Sequence, residues 1–563
     1  MAYSTPCEAR RIFLEGIAGN ALLPSFPRYF ASCANLVRFH GSASPSIPVN
    51  WRWPESLSAL KALEATMVNC LLMEKYKVEP TEVSIDTDHA SLFVFSPHLA
   101  TIVGDGEAKV SPESCLPVRE NEEKMCKESL YRMMATNIYK TRDGRFYHVH
   151  GSLNPDTVLS ALGLPHQMDI QPTPSDVAAV FEGKTLEMDS VALDSLMNQV
   201  HRQAGTIVYT SAEYFASEHG AANSHVGLYE IVHHPVVSQA PCWWPDASGF
   251  PSSPARPLAG LKVVDLTRVI AGPTITSSLA ELGASVMRVT SPHVPDFTRV
   301  FRDLNWGKWN CHLHLKDEGD KEKLRDLIRD ADVVVDGYRP GVMDRLGFGR
   351  ADIFDLIRDR ARGIIHAREN CYGWHGPWAH RSGWQGISDA CCGVSLAYGE
   401  AMEPGEAVTP PFPNSDRCTG VIGSASILCA LIRRGEEGGC WGVDLALNYY
   451  SQWLVRSVGT YDEQVWADLW GRHGSPVFHH YDNTRITVPR LMQLLRQYDE
   501  DLLFKPEFFD TYTSKAMGVD IRKVKPVAKF GGGLVKLGYN IGTRGNGRDA
   551  PFWPKNLLDE VVE

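Results

Sequence analysis

A chain of 563 residues with 44% hydrophobic, 22% charged and 10% aromatic residues is too long for one core and too ordinary in composition to be disordered or fibrous. Its net charge of −11, from 67 acidic against 56 basic residues, disfavours nonspecific binding to nucleic acid or anionic membrane, so an anionic ligand needs a local basic pocket. The thirteen cysteines include no CxxC, the start MAYSTPCEARRIFLEG lacks a hydrophobic signal core, and no run approaches the roughly 18 apolar residues of a membrane span; the expectation is a cytoplasmic protein with reduced thiols, no nucleic-acid partner and no membrane partner.

In chain order, residues 1–45 read as an amino-terminal arm. Residues 46–240 form an amino-terminal lobe in which "ATMVNCLLMEKYKVEPTEVSID" is an apolar helix, a turn and a strand. Further on, "YKTRDGRFYHVHG" reads as a hairpin turning at Asp-Gly and "NPDTVLSALGLP" as a short helix, which suggests a small α+β domain. Prolines, glycine and serines in "PCWWPDASGFPSSPARP" mark an interlobe linker over 241–256.

The carboxyl-terminal lobe, 257–563, opens with "LKVVDLT", a β-rich run, then "GPTITSSLAELG" with helical spacing and "ASVMRVT" as a second strand. The charged helix "DEGDKEKLRDLIRDA" precedes a third strand, "ADVVVDGY", and "ARGIIHAREN" supplies a fourth. The fold class is therefore α/β, with a Rossmann-like parallel sheet in the large domain and ligands beyond the carboxyl ends of its strands. GxGxxG is absent after the first strand, which disfavours a dinucleotide. "SASILCALIRRGEEGGCWGVDLAL" echoes the amino-terminal helix–turn–strand, with Cys429 opposite Cys70 and Val443 opposite Val83; Leu57 or a neighbour then stands where Asp416 stands. Duplication and chance explain that echo equally well.

In "FPNSDRCTGVIGSASILCALIRR", Asn414, Ser415 and Asp416 are all good helix caps, and spacing alone favours that role for Asp416. A carboxylate beside a positive helix end also stays ionised, and an ionised carboxylate can attack a thioester. Arg268, Arg288, Arg299, Arg302, Lys308 and Lys316 are either phosphate-holding groups or a solvated charged surface. His375, walled by Trp374 and Trp378, is a general base or a packed loop histidine. Cys371, Cys391 and Cys392 read as small hydrophobes, and the glycine run Lys529–Gly547 as a loop or turn segment. The pairs His233-His234 and His479-His480 lack the spacing of a zinc helix, so no metal is expected.

Taken together, these stretches resemble the family III CoA-transferases of the CaiB/BaiF type, a group that includes α-methylacyl-CoA racemase. "PLAGLKVVDLTRVIAGP", "LAELGASVMRV", "NWGKWNCHLHLKDEGDKEKLRDLIRDADVVVDGYRPGVMDRLGFG", "YGWHGPW" and "SDRCTG" are similar to five family blocks, in family order, from Pro257 to about Val455. The resemblance implies a Rossmann-like large domain, a smaller domain and a homodimer. It makes Asp416 the catalytic aspartate, which relays CoA from an acyl-CoA to a carboxylic acid acceptor through anhydride and aspartyl-CoA intermediates. Coenzyme A is then a substrate, and no cofactor is implied. Arg268, Val269, Ala271, Arg299, Leu313, Lys316, Tyr338 and Arg345 match CoA-contacting positions, and Asn370, Tyr372 and His375 are assigned to the substrate pocket.

The departures are Thr290 for the family's glutamate, Pro295-Asp296 for its Gly-Asp, and Arg368-Glu369-Asn370 before its glycine-rich turn. The order also differs, as if a truncated first copy were fused ahead of a second copy holding the active site, with "VKPVAKFGGGLVKLGYN" as the terminal return to the large domain. Gly383-Trp384-Gln385 stands where racemases carry a histidine, which argues against two-base proton exchange. Racemisation, hydrolysis or elimination in the same pocket, and a CoA-binding pseudoenzyme, are the alternatives.

Overall fold

The computed structural model describes residues 3–104, 129–168, 173–247 and 249–563. β1 (Val37–His40) is followed by α1 (Trp53–Tyr76), which carries Pro54 in its first turn, where a missing N–H goes unnoticed, and ends at Lys77 in the left-handed conformation. β2 (Val83–Asp86) returns parallel to β1. β3 (Thr101–Val103) precedes β4 (Asn137–Lys140) and β5 (Phe146–Val149), the expected hairpin, and β6 (Gly205–Ile207) completes an antiparallel sheet with them. Helices cover that sheet around Tyr139, Tyr147, Phe181 and Met197, so residues from about 131 to 207 form a small α+β unit with its own core.

β7 (Glu230–His234), β8 (Lys262–Leu266), α2 (Ala271–Glu281), β9 (Ser285–Thr290), β10 (Lys308–His312), α3 (Glu318–Asp330), β11 (Val333–Asp336), β12 (Ile365–Asn370), α4 (Asn414–Glu437) and β13 (Cys440–Ala446) build the large domain. The strand order is β10-β9-β8-β11-β12-β13-β7; all neighbours are parallel except β7, which runs antiparallel along β13. The six parallel strands follow the doubly wound order, which reverses between β8 and β11 and opens a crevice there. Val263, Val264, Val333, Val334 and Val335 are all buried, as strands covered on both faces require. α3 turns Leu324, Leu327 and Ile328 inward and pairs its charges outward, for example Lys321 with Glu318 at 2.7 Å.

α1 and α4, each 24 residues, pack together in the middle of the protein. Both are long and apolar enough, by length and composition, to cross a membrane, contrary to the expectation that no such run exists. That expectation looked for unbroken apolar runs; serines, threonines and glutamates interrupt these two, and 94% of each apolar window is buried inside the protein. The glycines of α4 admit α2 at close range: a Cβ at Gly420 would lie 2.4 Å from Thr274, and one at Gly423 2.6 Å from Ile275. On its other side, Ser424 donates to Glu64 of α1, whose carboxylate also receives Lys61 at 2.8 Å.

One hydrophobic cluster runs from Ile12 through Leu63 and Trp244 to Leu258, Leu428 and Phe530. The boundary drawn at 241–256 therefore falls inside a shared core and does not separate two lobes. Trp244 in that stretch is buried and donates its indole N–H to Ala259 O at 2.9 Å, which pins the expected linker to the body. α5 (Thr484–Tyr498) precedes β14 (Phe509–Ser514), β15 (Val519–Val524) and β16 (Lys529–Phe530). β15 pairs with β3 and β16 with β2, after which the chain runs along β10, with Asp549 N–H on Asn310 O at 2.9 Å. The two ends of the chain thus share sheets, a closure that local sequence patterns cannot express.

Candidate active site

At the carboxyl end of β8, residues 267–270 turn sharply into α2, and buried charges hold that turn. Asp265 accepts from the Thr267 N–H (3.0 Å), the Thr267 hydroxyl (2.5 Å) and the Thr276 hydroxyl (2.6 Å). Lys308, fully buried on β10, pairs with the same carboxylate at 3.2 Å and donates to Pro273 O at 2.9 Å. Burial pushes this ammonium down to about 8, against the pull of Asp265. The held turn forces Val269 to φ +71°, a left-handed conformation that disfavours a β-branched residue by about 1–2 kcal/mol. Strain of that kind persists only where surrounding contacts over-determine the backbone.

Arg268 donates to Pro295 O at 2.7 Å and lies 5.3 Å from the Tyr338 ring, and Ala271 begins α2, so these three and Val269 gather at the switch point. Leu313 is buried in the core, and Lys316 and Arg345 lie on the surface. Two of the cations considered for phosphate are structural: Lys308 as above, and Arg288, buried on Asp296 at 2.6 Å. Both charges are neutralised by a carboxylate inside the fold.

Asp416 lies in the first turn of α4, but Pro413 holds the cap position and no side chain caps the helix. The capping role expected for Asp416 is therefore absent; its carboxyl opens into a cavity of about 680 Å³ instead. The helix start is anchored by the next residue. Arg417 is buried on Asp303, which also receives Lys523 at 3.2 Å and the Ser96 hydroxyl at 2.6 Å. Burial raises Asp416 to about 7, opposed by the charge of Arg417. The helix end is expected from sequence to keep this group ionised; burial instead moves its titration to near neutrality. Glu369, at the end of β12, is held well above the usual carboxylate range by burial and then by Asp416. Asp389 is also pushed up by burial, which Gln385 opposes and Asp416 reinforces.

The cavity walls come from segments far apart in sequence. Val269, Ile270 and Arg299 belong to the loops beyond β8 and β9, Arg132 to the small domain, and Arg485 to the first turn of α5. The small domain docks through His150, stacked on Trp384 at 5.3 Å, and Ser152, whose hydroxyl accepts from the Trp384 indole at 3.0 Å. Of the residues singled out from sequence, Asp416, Val269, Arg299 and Arg302 line this space. Asn370, Tyr372 and His375 do not. Asn370 closes the 370–373 turn with bonds of 2.8 and 2.9 Å to Gly373, Tyr372 is buried with its hydroxyl on Gly205 O, and His375 pairs with Glu230 at 2.8 Å. Arg368 is paired with Asp444 at 2.6 Å and does not line the cavity. Burial pushes the Cys371 and Cys392 thiols well up, as expected of cysteines that act as small hydrophobes. Arg132 and Arg485 carried no local signal, whereas Glu369 stood out only as an unexpected charge.

A family model described as CoA-transferase family III matches residues 258–468. An acetyl-coenzyme A transferase, nodX, from Hypoxylon pulicicidum is 55% identical over 99% of this chain and 95% of its own length. An acyl-CoA transferase from Gibberella moniliformis is 30% identical over 88% of this chain and 86% of its own. Among solved structures, a CaiB/BaiF family protein from Brucella suis aligns at 27% identity over 36% of this chain and 56% of that one, with a TM-score of 0.31.

Proposed function

This chain belongs to CoA-transferase family III, and we propose that it moves CoA from an acyl-CoA to a carboxylic acid through covalent intermediates on Asp416. The observation that carries this reading is the position of Asp416: a carboxyl titrating near 7, opening into a cavity lined also by Arg132, Arg299, Arg302 and Arg485. Asp416 is the one acidic residue among the described lining residues.

The reaction proceeds by four acyl exchanges. An Asp416 oxygen attacks the thioester carbonyl, the C–S bond breaks, and CoA thiolate leaves behind a mixed anhydride. The thiolate attacks the aspartyl carbonyl and expels the original acid as its carboxylate, giving an aspartyl-CoA thioester. The acceptor carboxylate displaces the thiolate to form a second anhydride. The thiolate then attacks the acceptor carbonyl, which releases the new acyl-CoA and restores the Asp416 carboxylate. Each intermediate is prone to hydrolysis.

The name of the nodX relative makes acetyl-CoA the first donor to try. Incubation with acetyl-CoA, then intact-mass measurement with and without hydroxylamine, should reveal an adduct that Asp416→Ala abolishes. Turnover by Asp416→Ala, or α-proton exchange without an adduct, would overturn the reading. The proposal includes a homodimer in the cytoplasm that needs no cofactor. Light scattering should give twice 62.5 kDa, and dialysed protein should retain transfer activity.

A further inference from the structure

At the β7 edge of the large sheet, away from the cavity, His225 and Glu230, on the stretch that enters β7, meet His375 from a remote turn. One ligand-type atom from each lies within 4.8 Å of the others. His375 Nε2 is 2.8 Å from Glu230 Oε2, and the His225 and His375 rings meet edge to face with centroids 4.8 Å apart. We propose that these three side chains bind a divalent ion of the zinc type, which fastens the turn around His375 to the sheet edge.

Two imidazoles and a carboxylate are ordinary zinc ligands, at about 2.0–2.2 Å, and tetrahedral bonds of that length hold ligand atoms roughly 3.3 Å apart. One pair already sits at 2.8 Å, and all three atoms lie within 4.8 Å of one another. The surroundings are also prepared. The other Glu230 oxygen accepts from the Tyr449 hydroxyl at 2.7 Å, and Tyr449 in turn accepts the Trp374 N–H at 3.0 Å, so the carboxylate and the turn are oriented together. Asn223 donates to His375 O at 2.8 Å. Gly373, at φ +103°, permits this approach, since a Cβ there would lie 2.6 Å from Asn223 Oδ1 and 2.8 Å from the Tyr449 ring. His225 is exposed and the other two are half-buried, which leaves an entry path and a fourth position for water. The inference stands on the turn alone and does not depend on the transfer chemistry at Asp416.

The test is titration of chelator-treated full-length protein with Zn²⁺, and with Co²⁺ as a spectroscopic probe. The expected result is one equivalent bound, visible Co²⁺ bands of a tetrahedral site, and affinity that falls as the pH is lowered, because imidazole ligates a metal only when neutral. His375→Ala and Glu230→Gln should weaken binding at least tenfold, while Asp416→Ala leaves it unchanged. His225→Gln, at an exposed position, serves as the folding-neutral variant and should behave in the same way, with a melting temperature in chelator equal to that of the wild type. Absence of stoichiometric binding, or binding unaffected by His225→Gln and Glu230→Gln, would overturn the proposal.

Discussion

Replacing Asp416 by asparagine should abolish transfer and stabilise the protein, by an amount that grows with pH. The folded carboxyl titrates at about 7 against 3.8 for an ordinary aspartate. At about 1.4 kcal/mol per pH unit, the difference amounts to about 4 kcal/mol when fully developed. The sign follows from proton counting. Between these two values the folded state keeps a proton that the unfolded chain has lost, so rising pH favours unfolding and wild-type stability declines across that window. Asparagine has no such term, and its advantage over the wild type should widen by roughly 2–3 kcal/mol from pH 5 to pH 8. Cavity water screens one side of the group, which makes these figures upper values. Thermal unfolding of both proteins at pH 5, 6, 7 and 8 measures the gap, with the mass-trapping assay run in parallel. A gap that stays constant or narrows with pH would refute the desolvation argument. An asparagine variant that still forms the adduct would refute the assignment of the nucleophile.

With the acyl-CoA subsaturating, kcat/KM should rise between pH 6 and 8 with an apparent pKa near 7, because attack needs the ionised carboxyl; a flat profile would count against Asp416 as the attacking group. Asp303→Asn would leave Arg417 and Lys523 buried without their shared countercharge and should destabilise the protein by about 3–5 kcal/mol, seen as a clear fall in melting temperature. Val269→Gly relieves about 1–2 kcal/mol of left-handed strain and adds back up to about 1 kcal/mol of unfolded-chain entropy. Its melting temperature should therefore hold or rise while KM for the acyl-CoA increases; a fall of several degrees would show that the valine side chain carries packing that this account omits.

Much of the large domain was legible because its signals are local. The β-branched runs at Lys262–Leu266, Ser285–Thr290 and Val333–Asp336, with a charged amphipathic helix between, could hardly be anything but buried parallel strands and a cover helix. The small-domain hairpin was readable from its Asp-Gly turn for the same reason. Where the reading failed, a distant segment decided. The stretch 241–256 has the composition of a linker, yet Trp244 finds a buried place in a core assembled from both ends of the chain. Asn414, Ser415 and Asp416 each look like caps, and Pro413 took that position.

By itself, the sequence determined that the chain is α/β, where its parallel strands lie apart from the edge strand β10, and which aspartate stands at the start of the long helix after the YGWHGPW turn. Only the tertiary structure decided that Asp416 is desolvated, that Arg132 and Arg485 face the same cavity, and that Lys308 and Arg288 are spent inside the fold. The reason is range. Side-chain periodicity and turn chemistry act over a few residues and are written in the local sequence. Desolvation and charge pairing depend on which remote segments exclude water from a given atom, and that is settled only when the chain closes on itself.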